Sequence, residues 1–274
     1  MAFTVRATAD PADVLANAGT YLSSQPTEHN LVLTLLAART TAPEPGRYWI
    51  VSAGAKPVGV ALQSPLDFPA VITPMPRGAV EALVDAIAAT DVELPGVNGP
   101  AAAAATFAGH WGERRGIPAY PEEGMPLYEL GALVPLDGVG GVARAAGADE
   151  RDIVVSWATE MLAEVSGPAP GPTPAIDRRL ATGSIWIWDD DGPRAIASWT
   201  DPIERVARIG LVFTPPDYRR RGYASALVAA ASGELLVRGL RCILYTQLAN
   251  PTSNAIYRRL GYRAIQEALR YRFG

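Results

Sequence analysis

One cysteine, two histidines and one lysine are all that 274 residues offer of three reactive side-chain types. A lone Cys242 excludes an internal disulfide. With only His29 and His110 beside it, a Cys/His metal site has too few ligands, and no metal is expected. No apolar run approaches the roughly 18 residues of a membrane span. The opening "MAFTVRATADPADV" lacks the basic start and apolar stretch of a secretory leader, so no membrane contact and a cytoplasmic home are expected. Lacking as well is any basic excess: the net charge is -4, and a general nucleic-acid binder would carry the opposite sign. No nucleic-acid partner is expected, and any anion site must be local. Lys56 is the single lysine, so the basic content is otherwise arginine, and with 26 glycines and 24 prolines this reads as the codon usage of a GC-rich bacterial genome.

What is present is ample material for a core, 49% hydrophobic against 19% charged residues, and a pattern that occurs twice. "VRATADPADVLANA" from Val5 is answered by "ARAAGADERDIVVSW" from Ala143. "YWIVSAGAKPVGVALQSP" from Tyr48 is answered by "IWIWDDDGPRAIASWTDP" from Ile185, with Trp49 and Trp186 137 residues apart. "VITPMPRGAVEALVDAI" from Val71 parallels "VFTPPDYRRRGYASALVAAA" from Val212, at a larger offset that marks several residues missing from the first copy. Four features in one order predict an ancient duplication, with a boundary in the glycine-interrupted "GALVPLDGVGG", Gly131–Gly141. Two domains, 1–135 and 139–274, are expected.

In the second copy, Asp149 can cap a helix reaching about Val165, with Ile153, Trp157 and Met161 on one face. "SGPAPGPTP" breaks it into a stiff loop before a short helix, Ala175 to Ala181. "SIWIW" and "RAIASW" around "DDDGP" predict a hairpin, and "VARIGLVF" a third strand that Pro215-Pro216 ends. A helix from about Tyr223 to Arg238, a strand "CILYTQLA", a helix from Pro251 to Leu260 and a strand pair within "YRAIQEALRYRF" complete a mixed α/β (α+β) sheet.

The loop "PPDYRRRGYASAL", Pro215–Leu227, holds the chemistry. Gly222 lets backbone approach a ligand, and Ala224 is nearly as small. The unpaired N–H groups opening the next helix form an anion site that arginines reinforce. An arginine run alone is also what a solvated turn looks like. Its partner is "ANPTSNAIYRRLGY", with Asn250, Tyr257 seven residues on, and Gly261-Tyr262. Together, Arg219-Arg220-Arg221-Gly222-Tyr223-Ala224 and this second motif resemble the GNAT superfamily of acyl-CoA-dependent N-acetyltransferases over about Val139 to Phe273. The resemblance implies two tandem GNAT-like domains with a splayed, V-shaped central sheet. The first copy would be degenerate, because its loop "TPMPRGAV" is too short to wrap a pyrophosphate.

By that resemblance acetyl-CoA is the co-substrate. Backbone groups of Val212, Phe213 and Thr214 would pair with the pantetheine arm, and Arg220, Arg221, Gly222, Tyr223, Ala224 and Ser225 would hold the pyrophosphate. Arg219 matches the first motif position and would bind or brace the loop. Asn250 would bond the pantetheine amides, or merely cap the helix at Pro251. A primary amine on a small molecule or peptide would attack the thioester, with the N–H of about Thr214 as oxyanion donor. Tyr257 stands at the family's general-acid position, a phenol that is protonated at neutral pH, or else a packed aromatic. The base is open: Asp201 and Glu204 at the hairpin end are candidates. Trp186, Trp188, Trp199 and Cys242 read as core. The rival reading is a module that binds acyl-CoA without transfer. Nothing in the residues fixes an oligomeric state.

Overall fold

The computed structural model describes residues 2–136, 138–166 and 173–274. The proline-rich stretch falls, over residues 167–172, outside the described residues. The first half runs β1 (Phe3–Thr8), α1 (Pro11–Ser24), α2 (Asn30–Thr41), β2 (Arg47–Ala53), β3 (Lys56–Gln63), β4 (Ala70–Ile72), α3 (Arg77–Ala88), β5 (Gly96–Pro100), α4 (Ala101–Arg115), β6 (Ala119–Glu122) and β7 (Leu127–Leu130). The second repeats that order: β8 (Val142–Ala145), α5 (Arg151–Ser166), α6 (Thr173–Ala181), β9 (Ile185–Asp189), β10 (Pro193–Trp199), β11 (Val206–Phe213), α7 (Tyr223–Val237), β12 (Arg241–Tyr245), α8 (Pro251–Arg259), β13 (Tyr262–Gln266) and β14 (Ala268–Phe273).

Two seven-stranded sheets result, ordered β1-β2-β3-β4-β5-β14-β6 and β8-β9-β10-β11-β12-β7-β13. Position for position these are the same sheet, down to register. Arg6 lies opposite Ile50 and Ala7 opposite Trp49 in the first, and Arg144 opposite Ile187 and Ala145 opposite Trp186 in the second. The duplicated pattern in the sequence is thus a duplicated topology.

The last hairpin of each copy is opened. β6 and β13 stay in their own sheets, while β7 fills the slot between β12 and β13, and β14 fills the slot between β5 and β6, pairing antiparallel with both. The expected hairpin in "YRAIQEALRYRF" is therefore divided between the sheets. The compact units follow the sheets rather than one cut of the chain. One comprises the residues up to Leu127 with Thr246–Asn250 and Ala264–Gly274, the other Tyr128–Tyr245 and Pro251–Arg263. No boundary placed within Gly131–Gly141 separates them.

In the first unit, Trp49, Val51, Val80, Leu83, Phe107 and Trp111 form a core on the α3/α4 face. The join from β4 to α3 is four residues, Thr73–Pro76, against nine, Thr214–Gly222, from β11 to α7. Met75 from that short join packs into the core and abuts Gly59 so closely that a Cβ there would lie 2.7 Å from its Cε.

In the second unit α7 covers one face. Val228, Ala231 and Leu235 meet Ala207, Ile209, Cys242 and Leu244 there, while Tyr223 and Leu227 meet Ala195, Ala197 and Trp188. Val154, Trp157 and Ala158 of α5 and Ile176 of α6 cover the other face, against Ile185, Ile187, Ile196 and Phe213. The helix expected from Asp149 begins as a 3-10 turn, Ala148–Glu150. Glu150 accepts from the Gly147 N–H at 2.8 Å and from both terminal nitrogens of Arg144, whose Nε–H goes to Asp189. No helix is long and apolar enough to cross a membrane among the described residues.

Candidate active site

The site is built where two parallel strands part. β11 and β12 pair from Val206/Arg241 to Ile209/Leu244, and there the ladder stops although β11 continues to Phe213. On its other side β11 stays paired with β10, but with a bulge: Ile196 faces Phe213, Ser198 faces Gly210, and Leu211 takes a left-handed φ of 51°. A non-glycine residue in that region costs on the order of 1 kcal/mol or more, and a bulge bends its strand. The bend and the lost ladder together release one edge of β11 over residues 210–214. "CILYTQLA" ends its strand at Tyr245, and from Thr246 to Asn250 the chain belongs to the other unit.

Beyond Phe213 the chain turns at Pro215, makes a 3-10 turn at Pro216–Tyr218 and enters the arginine run. Arg220 has φ 63° and Gly222 φ 87°, both left-handed. At Gly222 the turn is also tight, since a Cβ would meet Val139 Cγ2 at 2.9 Å. Gly222 is the N-cap of α7 and has no side chain to cap it, so the opening amides of the helix lack partners within it and carry its partial positive charge. Arg220 and Arg221 are exposed, and neither forms an ion pair among the described residues. Ala224 and Ser225 follow in the first turn, while Tyr223 turns inward and donates its hydroxyl to Asp190 Oδ2 at 2.6 Å.

Arg219 is used differently. Its Nε–H donates to the Thr214 carbonyl at 2.9 Å, its Nη2 pairs with Glu164 at 2.6 Å, and its guanidinium lies 5.7 Å from the Phe213 ring centroid. It straps the start of the loop to its end. The Thr214 hydroxyl is buried with no hydrogen-bond partner among the described residues, an open valence at the edge of the released segment.

Tyr257, on α8, is buried in the cluster that holds Ile209 and Leu244, the last paired residues of the ladder, with Val212 packed against it. Its ring meets Tyr262 edge-on at 6.1 Å. Burial pushes its phenol up to about 12, so it stays protonated at any physiological pH. Cys242 is likewise buried, its thiol pushed up to about 12 by desolvation, which makes it core and not a nucleophile.

The two candidate bases lie toward the start of β11. Glu204 occupies, with Arg205, a left-handed turn before β11, at φ 49° and 61°. It therefore lies at the start of the strand, and the five residues to Ile209 span roughly 16 Å. A base must come within hydrogen-bond reach of its proton, directly or through water, so Glu204 would need a water relay across that span to serve as one. Asp201, near the same end, lies 3.5 Å from Arg178. Asn250 is exposed ahead of α8, its N–H on the Gln247 carbonyl, within the segment that belongs to the other unit.

Two residues were missed. Arg208, inside the apolar run "VARIGLVF", and Arg179, at the end of α6, lie on the α5/α6 face of the sheet. A charge in mid-strand was the available signal. Among the described residues no group of His, Cys, Asp and Glu could hold a metal ion.

The family model for FR47-like proteins matches residues 190–271, which contain the parting strands, the loop and Tyr257. Solved structures extend the likeness to the whole chain. An acetyltransferase of the GNAT family from Colwellia psychrerythraea superposes with a TM-score of 0.63 at 12% identity, covering 99% of this chain and 100% of that one. A GCN5-related N-acetyltransferase from Kribbella flavida gives 0.55 at 22% identity, over 89% and 94%. A tandem GNAT protein from the clavulanic acid biosynthesis pathway gives 0.58 at 11%, over 98% of each chain. No curated protein matches the sequence. Two GNAT-type sheets in tandem are what the fold defines. Over the whole chain the fold is similar to that of GNAT-family structures, and residues 190–271 match the FR47-like model.

Proposed function

We propose that the second unit binds acetyl-CoA and transfers its acetyl group to a primary amine. The observation that carries this is the conjunction of a released strand edge at residues 210–214 with a loop that ends in unpaired helix amides and two exposed arginines without ion pairs among the described residues. Bound there, the co-substrate supplies a thioester, an electrophilic carbonyl with a thiolate leaving group.

The chain's own residues supply the rest. Amides of Gly222 to Ser225, with Arg220 and Arg221, bind the pyrophosphate. Val212, Phe213 and Thr214 offer the edge along which an amide-bearing arm can lie as an added strand, with the Thr214 hydroxyl free to donate or accept. Arg219 holds the loop in shape through Thr214 and Glu164. As the amine forms the new C–N bond, the C–S bond breaks and its electron pair passes to sulfur. Tyr257 gives that sulfur its proton, the amine loses one to solvent, and solvent returns one to the Tyr257 phenolate, so no net proton is gained or lost. Its burial weakens it as an acid, but the sulfur it protonates sits in the same apolar surroundings, which raise thiol and phenol together. The first unit, with its short join and Met75 packed inward, binds no second acetyl-CoA.

A screen of amines, aminoglycosides and peptides that follows release of free CoA tests the transfer. Binding of acetyl-CoA with no release from any acceptor would instead support an acyl-CoA-sensing module, the reading that the distance of Glu204 from the parted strands favours.

A further inference from the structure

β11 carries a charge within an apolar stretch, and its alternation shows where that charge points. Ala207 and Ile209 pack under α7, so Arg208 and Gly210 face the opposite side, under α5 and α6. There the Arg208 guanidinium lies 5.8 Å from the Tyr245 ring centroid. From the last turn of α6, Arg179 donates Nη1–H to Ser198 Oγ at 3.1 Å, and Ser198 is the register partner of Gly210.

Arg179 Nε is buried with no acceptor, and no carboxylate pairs with Arg179 among the described residues. Asp201, the acidic group within its electrostatic reach, lies against Arg178 and is 57% exposed. Burial first, then the Arg208 and Arg178 charges, lower the proton affinity of Arg179, and burial lowers that of Arg208. A half-buried guanidinium with an unpartnered Nε beside two like charges, as Arg179 is, is relieved by an anion. Room is at hand among the described residues, where a Cβ at Gly210 would meet no atom within 4 Å. Gly210 is the first residue past the end of the β11/β12 ladder, so this space adjoins the apex of the parting.

We propose that Arg179 and Arg208, over the open position at Gly210, form an anion subsite for the acceptor, which is an amine that also carries a carboxylate. The carboxylate would be held by the guanidiniums while the amine faces the apex, where the thioester end of an arm entering from the loop arrives. The role given to the amine rests on the acetyl-transfer reading; the anion subsite does not.

The test uses matched pairs, α-amino acids and β-alanine against their carboxamides, in the CoA-release assay on the full chain. The carboxylate member should be favoured at least tenfold in kcat/KM, through KM. That advantage should vanish in Arg179→Gln and partly return in Arg179→Lys. In parallel, the N-acetylated acids should raise the Tm of the protein without acetyl-CoA more than the N-acetylated amides do. Equal treatment of both members in turnover and in Tm, or an advantage intact in Arg179→Gln, overturns the proposal. A Tm preference with no CoA release from either member sinks the transfer reading and leaves the anion subsite standing. Should Arg179→Gln fail to fold, Arg208→Gln carries the same expectation.

Discussion

Replacing Gly222 by alanine separates the demands of fold and ligand, because α7 offers an internal control at its other end. Gly222 precedes the helix at φ 87° and Gly239 follows it at φ 71°. A Cβ would meet Val139 Cγ2 at 2.9 Å in the first case and Arg205 Nη2, the tip of a flexible side chain, at 2.8 Å in the second. Forcing an L-residue into the left-handed region costs about 1–2 kcal/mol, so both variants should lose that much stability, with the Gly222 variant at the upper end. A loss of this size lowers Tm by roughly 2–4 °C per kcal/mol in a chain of this scale. Binding should tell them apart. Gly222→Ala should displace the amides proposed to hold the pyrophosphate, and losing one charge-assisted hydrogen bond, about 1.5–3 kcal/mol, would weaken Kd by roughly 10- to 150-fold. Gly239→Ala should bind CoA within about twofold of wild type by titration calorimetry. If both variants bind as wild type does, or both are weakened alike, the loop is not the phosphate site.

Four further outcomes are expected. Tyr257→Phe should cut kcat by at least about a hundredfold with CoA affinity unchanged, and an unchanged kcat would remove the phenol as proton donor. Arg219→Ala, exposed and paired with Glu164, should cost no more than about 1 kcal/mol of stability yet loosen CoA binding; a wild-type affinity would show that the strap is idle. Ser232 accepts or donates a 2.8 Å bond with the buried Tyr262 hydroxyl, so Ser232→Ala should lose about 1–2 kcal/mol by urea melts, and Tyr262→Phe in that background should recover part of it. His29 is held below its ordinary pKa chiefly by burial, and its ring Nδ1–H donates to the Leu22 carbonyl at 3.0 Å. Its contribution is therefore fully present above the unfolded value near 6.5 and declines as pH falls below it toward the folded pKa; urea midpoints from pH 7 to 5 should fall less in His29→Gln than in wild type.

Much of this was legible in the sequence, for reasons that differ from element to element. The repeat showed itself because Trp49 and Trp186 sit at one register on equivalent strands, where a large side chain packed against the core fixes the pattern. The loop was legible because arginines before a glycine and a small apolar helix have few other physical uses. The strand exchange was not, since "LYEL" and "ALRYRF" alternate equally well in either sheet and no local term chooses between them. Where Glu204 stands relative to the parted strands was not legible, because nearness to a hairpin end does not say which end of β11 is the parted one; that follows only from the parallel pairing with β12. Arg220 at a left-handed φ, where glycine is the easier residue, and the bulge at Leu211 are set by the sheet and loop around them rather than by their own preference.

Calorimetric titration of CoA into the wild-type chain and into an Arg220→Glu/Arg221→Glu variant bears most directly on the central claim. One CoA per chain in the wild type, with binding abolished by the charge reversal, is the predicted result. Two per chain, or an affinity indifferent to the reversal, would contradict it.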